Sequence, residues 1–209
     1  MSNFHHHNHD DNEVLATTSR VEAYSDAIIA IIMALLIFDL KVPHPNNPTI
    51  TELIQELKKI VPNFLAFILS FGTLAVIWIN HHHFFHPIHG TNRALLWINN
   101  GLLLWVCMIP FAAGLLGSYP HNQLAVALYG VVMFCVAFMF MILVRYVFFH
   151  SVLVGDSVPY HRRRREFLRS CLGPALYALG VVCSWFVPYI SIGLYILVPI
   201  YYVFPNSLE

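Results

Sequence analysis

The feature that most constrains the fold is a series of apolar stretches, each about as long as a bilayer crossing. A helix that spans the hydrocarbon layer needs about 20 residues, and the apolar stretches form six such segments. We predict an all-α integral membrane protein with helices at 21–42, 61–84, 94–116, 124–149, 167–187 and 189–204. Because Pro188 divides the last apolar stretch, the sixth segment is open to a second interpretation as a re-entrant or tilted helix.

Composition supports a membrane protein. Apolar residues make up 58% of the chain and charged residues only 11%, against roughly 25% charged in a soluble domain. The charges cancel, with 11 of each sign, which argues against nucleic acid as a partner. We predict a polar, disordered N-terminus at 1–19, without the apolar core of a signal peptide, and a six-helix membrane domain at 20–205.

A short amphipathic segment separates the first two predicted crossings. Residues 51–60 place leucine and isoleucine on one helical face and glutamate, glutamine and lysine on the other. This pattern is typical of a short helix at the membrane interface.

The basic residues predict the orientation of the chain. If the N-terminus is cytoplasmic, every arginine lies at an inner helix end, and the lysines lie outside. This agrees with the positive-inside rule, and we expect both termini in the cytoplasm. The run Arg162–Arg165 is interpreted as an orientation signal and a contact for lipid headgroups rather than a nucleic-acid site.

The first helix carries a carboxylate inside the membrane. The uncharged run from Ala27 to Phe38 is too short to cross about 30 Å of hydrocarbon, so the helix must extend back through Ser25 and Asp26. An intramembrane carboxylate indicates either a functional site or a polar contact between helices. We expect Asp26 to contact Arg20 or the polar end of the second helix, most naturally Asn80 or a histidine. The possible donors there are Trp78, Asn80, His81 and His82.

A helical wheel divides the first helix into two faces. One face holds Arg20, Tyr24, Ile31, Leu35 and Phe38, and the opposite face holds Ser25, Asp26, Ile29 and Met33. An apolar stripe on a membrane helix is usually a lipid-facing or packing surface, so periodicity alone assigns it no function.

The first helix closely resembles a known family. The string from Arg20 to Asp26 matches the R-x-x-x-[FY]-S-D signature of the endolysosomal potassium channel family of the transmembrane protein 175 type. The segment from Trp78 to His82 is also similar to that family. The resemblance implies a bacterial plasma-membrane channel for potassium and other monovalent cations, assembled as a homotetramer of six-helix subunits. It implies no cofactor apart from the permeant potassium ion.

The resemblance also implies roles for individual residues. The first helix of each subunit lines the pore, Ile31 forms an apolar constriction that can gate by wetting, and Leu35 and Phe38 lie further outward. Relatives usually carry threonine at the position of Ala34, so weak selectivity for potassium is expected here. Asp39 would form a ring of carboxylates at the outer mouth.

Two alternatives come from the polar residues. His81, His82, His83, His86 and His89 superficially resemble the histidine boxes of membrane oxygenases. Such a site needs several boxes at one depth, and the sequence shows no catalytic motif, so we predict neither a metal site nor an enzyme. A proton-coupled transporter or a proton-conducting pathway is the second alternative, because proton relays use an intramembrane carboxylate with histidines nearby.

Overall fold

The structure is a computed structural model that describes residues 18–44, 49–154 and 158–204. The predicted polar N-terminus at 1–19 lies outside these ranges except for its last two residues. Within the described ranges every regular element is helical, so the all-α prediction is confirmed there.

The helices are given in chain order. They are α1 (Ser19–Leu35), which continues as a 3₁₀ turn (Leu36–Asp39), α2 (Ile50–Lys59), α3 (Val61–Phe85), α4 (Arg93–Cys107), α5 (Ile109–Ser118), α6 (Gln123–Phe149), α7 (Ser151–Val154), α8 (Tyr160–Ser184) and α9 (Pro188–Val203).

Helices long and apolar enough to cross a membrane account for most of the described chain. Five such segments are found among the described residues: Ser19–Asp39, Val61–Phe85, Arg93–Ser118, Gln123–Phe149 and Tyr160–Ser184. The apolar helix α9 has 16 residues, a rise of about 24 Å, which is less than the roughly 30 Å of hydrocarbon. The structure therefore supports a multi-pass membrane protein with five candidate spans where the sequence predicts six.

Prolines explain why two helix ends differ from the predicted ones. The first helical segment ends at Asp39 rather than at residue 42, because the residue before Pro43 is disfavoured in a helix. The third crossing, predicted as continuous over 94–116, is interrupted at Met108. Pro110 lacks a backbone N–H and its ring clashes with the preceding turn, so α4 ends and α5 begins with this proline in its first turn.

The predicted fifth crossing begins too late in the sequence-based assignment. Helix α8 starts at Tyr160 instead of residue 167, so the run Arg162–Arg165 is helical. Pro159 occupies the N-cap with an extended backbone, and arginine is a good helix former. Hydropathy did not predict this extension, because the run is polar and a helix can continue beyond the apolar layer.

The long helices pack as a bundle in which successive spans alternate in direction, with α6 near its centre. Helix α6 contacts α4, α5, α8 and α9, whereas α1 packs mainly on α3 and α4. Tyr195 of α9 is buried in a notch formed by Gly130 of α6 and Gly180 of α8, where a larger residue would overlap its ring. Helix α9 is therefore an integral part of the bundle despite its length.

The two ends of the bundle differ in their basic residues. We call one the arginine end, because Arg20, Arg93, Arg145 and Arg162–Arg165 all lie at helix ends there. Hydrogen bonds cross this end from His89 N to Leu153 O at 3.0 Å and from Arg169 Nη2 to Phe204 O at 3.2 Å. The described lysines, Lys41, Lys58 and Lys59, lie at the other end, which we call the lysine end.

Helix α2 agrees with the predicted amphipathic segment. Thr49 caps it, its hydroxyl accepting a hydrogen bond from Glu52 N at 3.3 Å. None of its residues is buried, and its apolar residues Leu53, Ile54 and Leu57 are exposed. Their exposure leaves this face free to lie on an apolar surface outside the single chain.

Candidate functional site

Helix α1 has one buried and one exposed face. The buried face packs on the bundle through Val21, Ser25, Ile29 and Ile32. The exposed face carries Tyr24, Ile31, Leu35 and Phe38, of which Ile31 is 58% and Phe38 75% exposed. The division of the helix predicted by the wheel is therefore confirmed for these residues.

Small residues accompany the large ones on the exposed face. Ala23, Ala27, Ala30 and Ala34 are all exposed and follow one another at alternating spacings of four and three residues. Small side chains at this spacing allow another helix to approach the backbone closely. The face is thus suited to contact a second protein helix as well as lipid.

A chain of buried hydrogen bonds fixes the other face of α1. Asn99 of α4 donates from Nδ2 to Ser25 Oγ at 2.9 Å, and its Oδ1 lies 3.0 Å from His81 Nε2 of α3. All three side chains are at most 1% exposed. These polar side chains can be buried because they pair with one another. Their hydrogen bonds hold α1, α3 and α4 in a fixed position relative to one another.

The hydrogen bonds also assign the tautomer of His81. Because the amide oxygen of Asn99 can only accept, His81 Nε2 must carry the proton, an assignment made from the network. His81 Nδ1 is buried and has no hydrogen-bond partner in the described part of the chain. The ring therefore presents a basic nitrogen that no described protein group satisfies.

Asp26 is bound by one of the four donors expected at the end of the second helix. Trp78 of α3 donates from Nε1 to Asp26 Oδ1 at 2.9 Å. Asn80 instead donates to Val76 O of its own helix at 2.8 Å, and His81 bonds Asn99. The described residues show no ion pair between Asp26 and Arg20, which is exposed. The expected contact of Asp26 with the polar end of the second helix is therefore confirmed, with Trp78 as the donor, whereas the narrower expectation of Asn80 or a histidine is wrong.

The remaining residues of the signature region lie on the surface of the single chain. The ring of His82 stacks on that of Trp78 with centroids 6.1 Å apart. Tyr24 is exposed on the same side of α1 as Ile31. No contact within the described chain assigns either residue a role in binding.

Asp39 lies at the lysine end, and its side chain packs against α5. Its Oδ1 would be 2.8 Å from a Cβ atom added at Gly114, so the carboxyl occupies the space that this glycine leaves. Its Oδ2 is buried without a hydrogen-bond partner among the described residues. In the single chain the carboxylate therefore packs against the bundle rather than standing beyond Phe38.

The histidines in the last turns of α3 and in the segment after it do not form a metal centre in the described chain. His82, His83, His86 and His89 are exposed, and His81 is turned into the bundle. No group of three His, Cys, Asp or Glu side chains in the described ranges could hold a metal ion.

Sequence reasoning missed Asn99, the residue that connects α1 and α3 through α4. Its signal is the pair Asn99 and Asn100 within an otherwise apolar segment. An amide inside a membrane helix is costly unless it has a partner, so the pair itself predicts an interhelical hydrogen bond.

The bond between Trp78 and Asp26 has a measurable energy. We expect Trp78→Phe to lower the thermal stability of the protein in detergent, because it removes the indole donor. With both groups partly exposed, the coupling in a double-mutant cycle with Asp26→Ala should be about 1 kcal/mol. Trp97→Phe, at an exposed tryptophan of α4, is the matched control. A coupling below about 0.3 kcal/mol would show that the bond contributes nothing.

Comparison with known proteins places these features in a family. Residues 20–110 match the family described as "Endosomal/lysosomal potassium channel TMEM175". A protein of Chryseobacterium sp. (strain P1-3) named as a potassium channel is 32% identical over 194 residues, which cover 91% of this chain and 95% of that protein. The Gallus gallus protein named endosomal/lysosomal proton channel TMEM175 is 25% identical over 194 residues, covering 88% of this chain and 38% of that protein.

A solved structure is similar over nearly the whole chain. The crystal structure of a lysosomal potassium-selective channel TMEM175 homolog from Chamaesiphon minutus matches with a TM-score of 0.79 at 28% identity, covering 89% of this chain and 96% of that one. The fold is that of a multi-pass, all-α membrane protein, and the family match and the relatives place it in the ion-channel class. The chain belongs to the TMEM175 family, as its first helix indicates.

Proposed function

We propose that this protein is a potassium-conducting channel in which four copies arrange the exposed face of α1 around a central pore. The observation that carries the proposal is the combination of an exposed apolar face, containing Ile31, with a buried polar attachment on the other side of the same helix. The relative from Chryseobacterium and the structure from Chamaesiphon minutus are both named as potassium channels. The homotetramer follows from the resemblance of the first helix to the family signature.

The exposed face is suited to line a narrow apolar pore. Between Ala27 and Phe38 it contains no charged residue, and Ile31, Leu35 and Phe38 are all exposed in the single chain. Four copies of Ile31 around an axis would form a ring that an ion passes only by losing part of its hydration shell. Potassium loses its hydration shell at lower free-energy cost than sodium, so such a ring favours potassium. When the ring itself loses its water, the pore no longer conducts.

The attachment of α1 gives the pore a fixed geometry. Ser25 is held by Asn99, and Asp26 by Trp78, so two consecutive residues of α1 are bound by two different helices. Rotation of α1 about its axis would break both bonds at once. We infer that these bonds keep Ile31 directed toward the axis of the pore. A rotation of α1 by a few tens of degrees would bring another side chain to that position.

Ala34 is the position at which this chain departs from its family's usual threonine. We expect Ala34→Thr to leave assembly intact, because a threonine hydroxyl can bond the carbonyl of Ala30 in the same helix. The hydroxyl also offers an acceptor to an ion or its water one turn from Ile31. The potassium-to-sodium permeability ratio should therefore rise roughly fivefold, which corresponds to about 1 kcal/mol.

Reversal potentials under bi-ionic potassium and sodium measure this change. Ala34→Val, which has the shape of threonine without its hydroxyl, is the matched control. An equal shift in both variants would attribute the effect to size, and no shift in either would show that Ile31 alone sets the selectivity.

The bundle also supports an orientation in the membrane. We propose that the arginine end faces the cytoplasm of a bacterial plasma membrane, with both chain termini on that side and Asp39 near the outer mouth. In this arrangement α9 is the sixth crossing, because Arg169 at the arginine end reaches Phe204 while Tyr189 at the start of α9 contacts His121 at the lysine end.

Proton conduction is the second candidate function. The buried His81, with an unpartnered Nδ1, lies in one chain of hydrogen bonds with Asn99 and Ser25, close to Asp26. His81 and Asp26 are of the residue types that proton relays use, and the relative from Gallus gallus is named as a proton channel. Potassium and proton conduction are compatible in one pore.

Flux measurements in liposomes test both functions. We expect the purified protein to pass potassium faster than sodium, down its gradient and without saturation at low concentration. Proton flux is measured in parallel, with His81→Gln as the variant that removes the titratable ring. A flux that saturates and requires a coupling ion would indicate a transporter and contradict the channel. Proton flux unchanged in His81→Gln would exclude this histidine from a proton path.

A further inference from the structure

A cavity lies behind α3, on the side away from α1. It has a volume of about 70 Å³ and is lined by residues of α3, α6, α8 and α9. Its walls include Val76, Met133, Val136, Tyr177 and Val198, each at most 8% exposed. The cavity is therefore part of the packed bundle of one chain and is separate from the exposed face of α1.

Most polar side chains on the cavity wall already donate a hydrogen bond within the described chain. Thr73 donates to Leu69 O at 2.7 Å, and Asn80 donates to Val76 O at 2.8 Å, each within its own helix. Ser170 likewise donates to Phe167 O at 2.7 Å. A buried water needs two to four polar partners, and cavities that lack them stay dry and take up apolar guests. The wall thus favours an apolar occupant over water.

We propose that this cavity is a binding site for a small apolar molecule of a few atoms. An engineered apolar cavity of about 150 Å³ holds benzene or xenon, so the smaller volume here matches a xenon atom or a short hydrocarbon. The surrounding bilayer concentrates such molecules, because they partition from water into hydrocarbon. The site would therefore be supplied through the membrane rather than through the pore.

The position of the cavity connects it to α1. Ile77 and Asn80 border the cavity, and the neighbouring residues Trp78 and His81 bind Asp26 and Asn99. A bound molecule would hold α3 in place and, through it, the helix that carries Ile31. An effect on ion flux rests on the proposed function, whereas binding itself does not.

Xenon is the probe for the site. In crystals of the full chain pressurised with xenon, we expect an anomalous peak between α3, α6, α8 and α9. Val136→Phe should abolish the peak by filling the cavity, and Val131→Phe, the same change at an exposed position of α6, should retain it. Absence of the peak in the wild type, or its persistence in Val136→Phe, would overturn the proposal.

A measurement in detergent solution keeps the test independent of crystals and of one variant. In detergent solution saturated with propane, a short hydrocarbon, the Tm of the wild type and of Val131→Phe should rise by about 2 to 4 °C, whereas that of Ala137→Leu, a second cavity-filling variant, should not. An equal response of all three proteins would place propane in the micelle or elsewhere and overturn the proposal. If binding is found but the flux is unchanged, the site stands and its connection to α1 fails.

Discussion

Ile31→Asn is expected to raise the cation current and to bring sodium permeability close to that of potassium. The substitution replaces an apolar ring at the proposed constriction with groups that can bind water or an ion. Each such group is worth on the order of 1 kcal/mol to a partly dehydrated ion, which corresponds to roughly a fivefold change in rate. With four copies in the ring, this is one of the two largest effects that we expect. Single-channel recording and reversal potentials in bilayers measure it.

Two control variants isolate the position of Ile31 from the chemistry of asparagine. Ile37→Asn introduces the same group at another exposed residue, 50% exposed, which falls well away from Ile31 on a helical wheel. Ile31→Leu keeps the volume and the apolar character. A shifted reversal potential in Ile37→Asn, with none in Ile31→Asn, would mean that a different face of α1 lines the pore.

Asn99→Leu should have the largest effect on assembly. The change removes the partner of Ser25 and of His81 together, and a buried polar group left without a partner costs about 1 to 3 kcal/mol. Two such groups amount to about 2 to 6 kcal/mol, a large part of the stability of an ordinary domain. We expect loss of the monodisperse species in gel filtration and a strongly lowered Tm.

The neighbouring amide provides the matched control. Asn100 is exposed, so Asn100→Leu should change stability by less than about 0.5 kcal/mol. Replacing Ser25, His81 and Asn99 together by apolar residues should recover part of the loss, because no polar group is then left unpaired. If Asn99→Leu is as stable as Asn100→Leu, the buried chain does not hold α1 in place.

Hydropathy predicted the existence of the long helices, because each crossing must be apolar over nearly its whole length. It placed their ends less well. The interruption at Met108 depends on Pro110, a backbone effect that leaves hydropathy unchanged, and the early start of α8 lies within a polar run. Both errors come from treating the limits of the apolar layer as the limits of the helix.

The candidate site was predictable in part. The wheel separated Ile31 from Ile29 because α1 is a regular helix at these positions. The partner of Asp26 was not predictable, since Trp78, Asn80, His81 and His82 all offer donors at one helix end and only side-chain packing selects among them. Asn99 escaped notice because it is distant in sequence from both of its partners. The pore role of Ile31, Leu35 and Phe38 stays a prediction, because it depends on other copies of the chain.

Helix α8 continues through its arginines, and this has a consequence for membrane thickness. Arg165 and Trp185 are separated by a rise of about 30 Å, which equals the thickness of a typical hydrocarbon layer. Trp185 and Phe186 are exposed, as in the aromatic belts that mark a membrane interface. One helix is thus anchored at both interfaces, and a thinner or thicker bilayer would have to deform or tilt it. Since α8 packs on α6, α6 on α4 and α4 on α1, we expect the position of α8 in the membrane to influence the depth of Ile31.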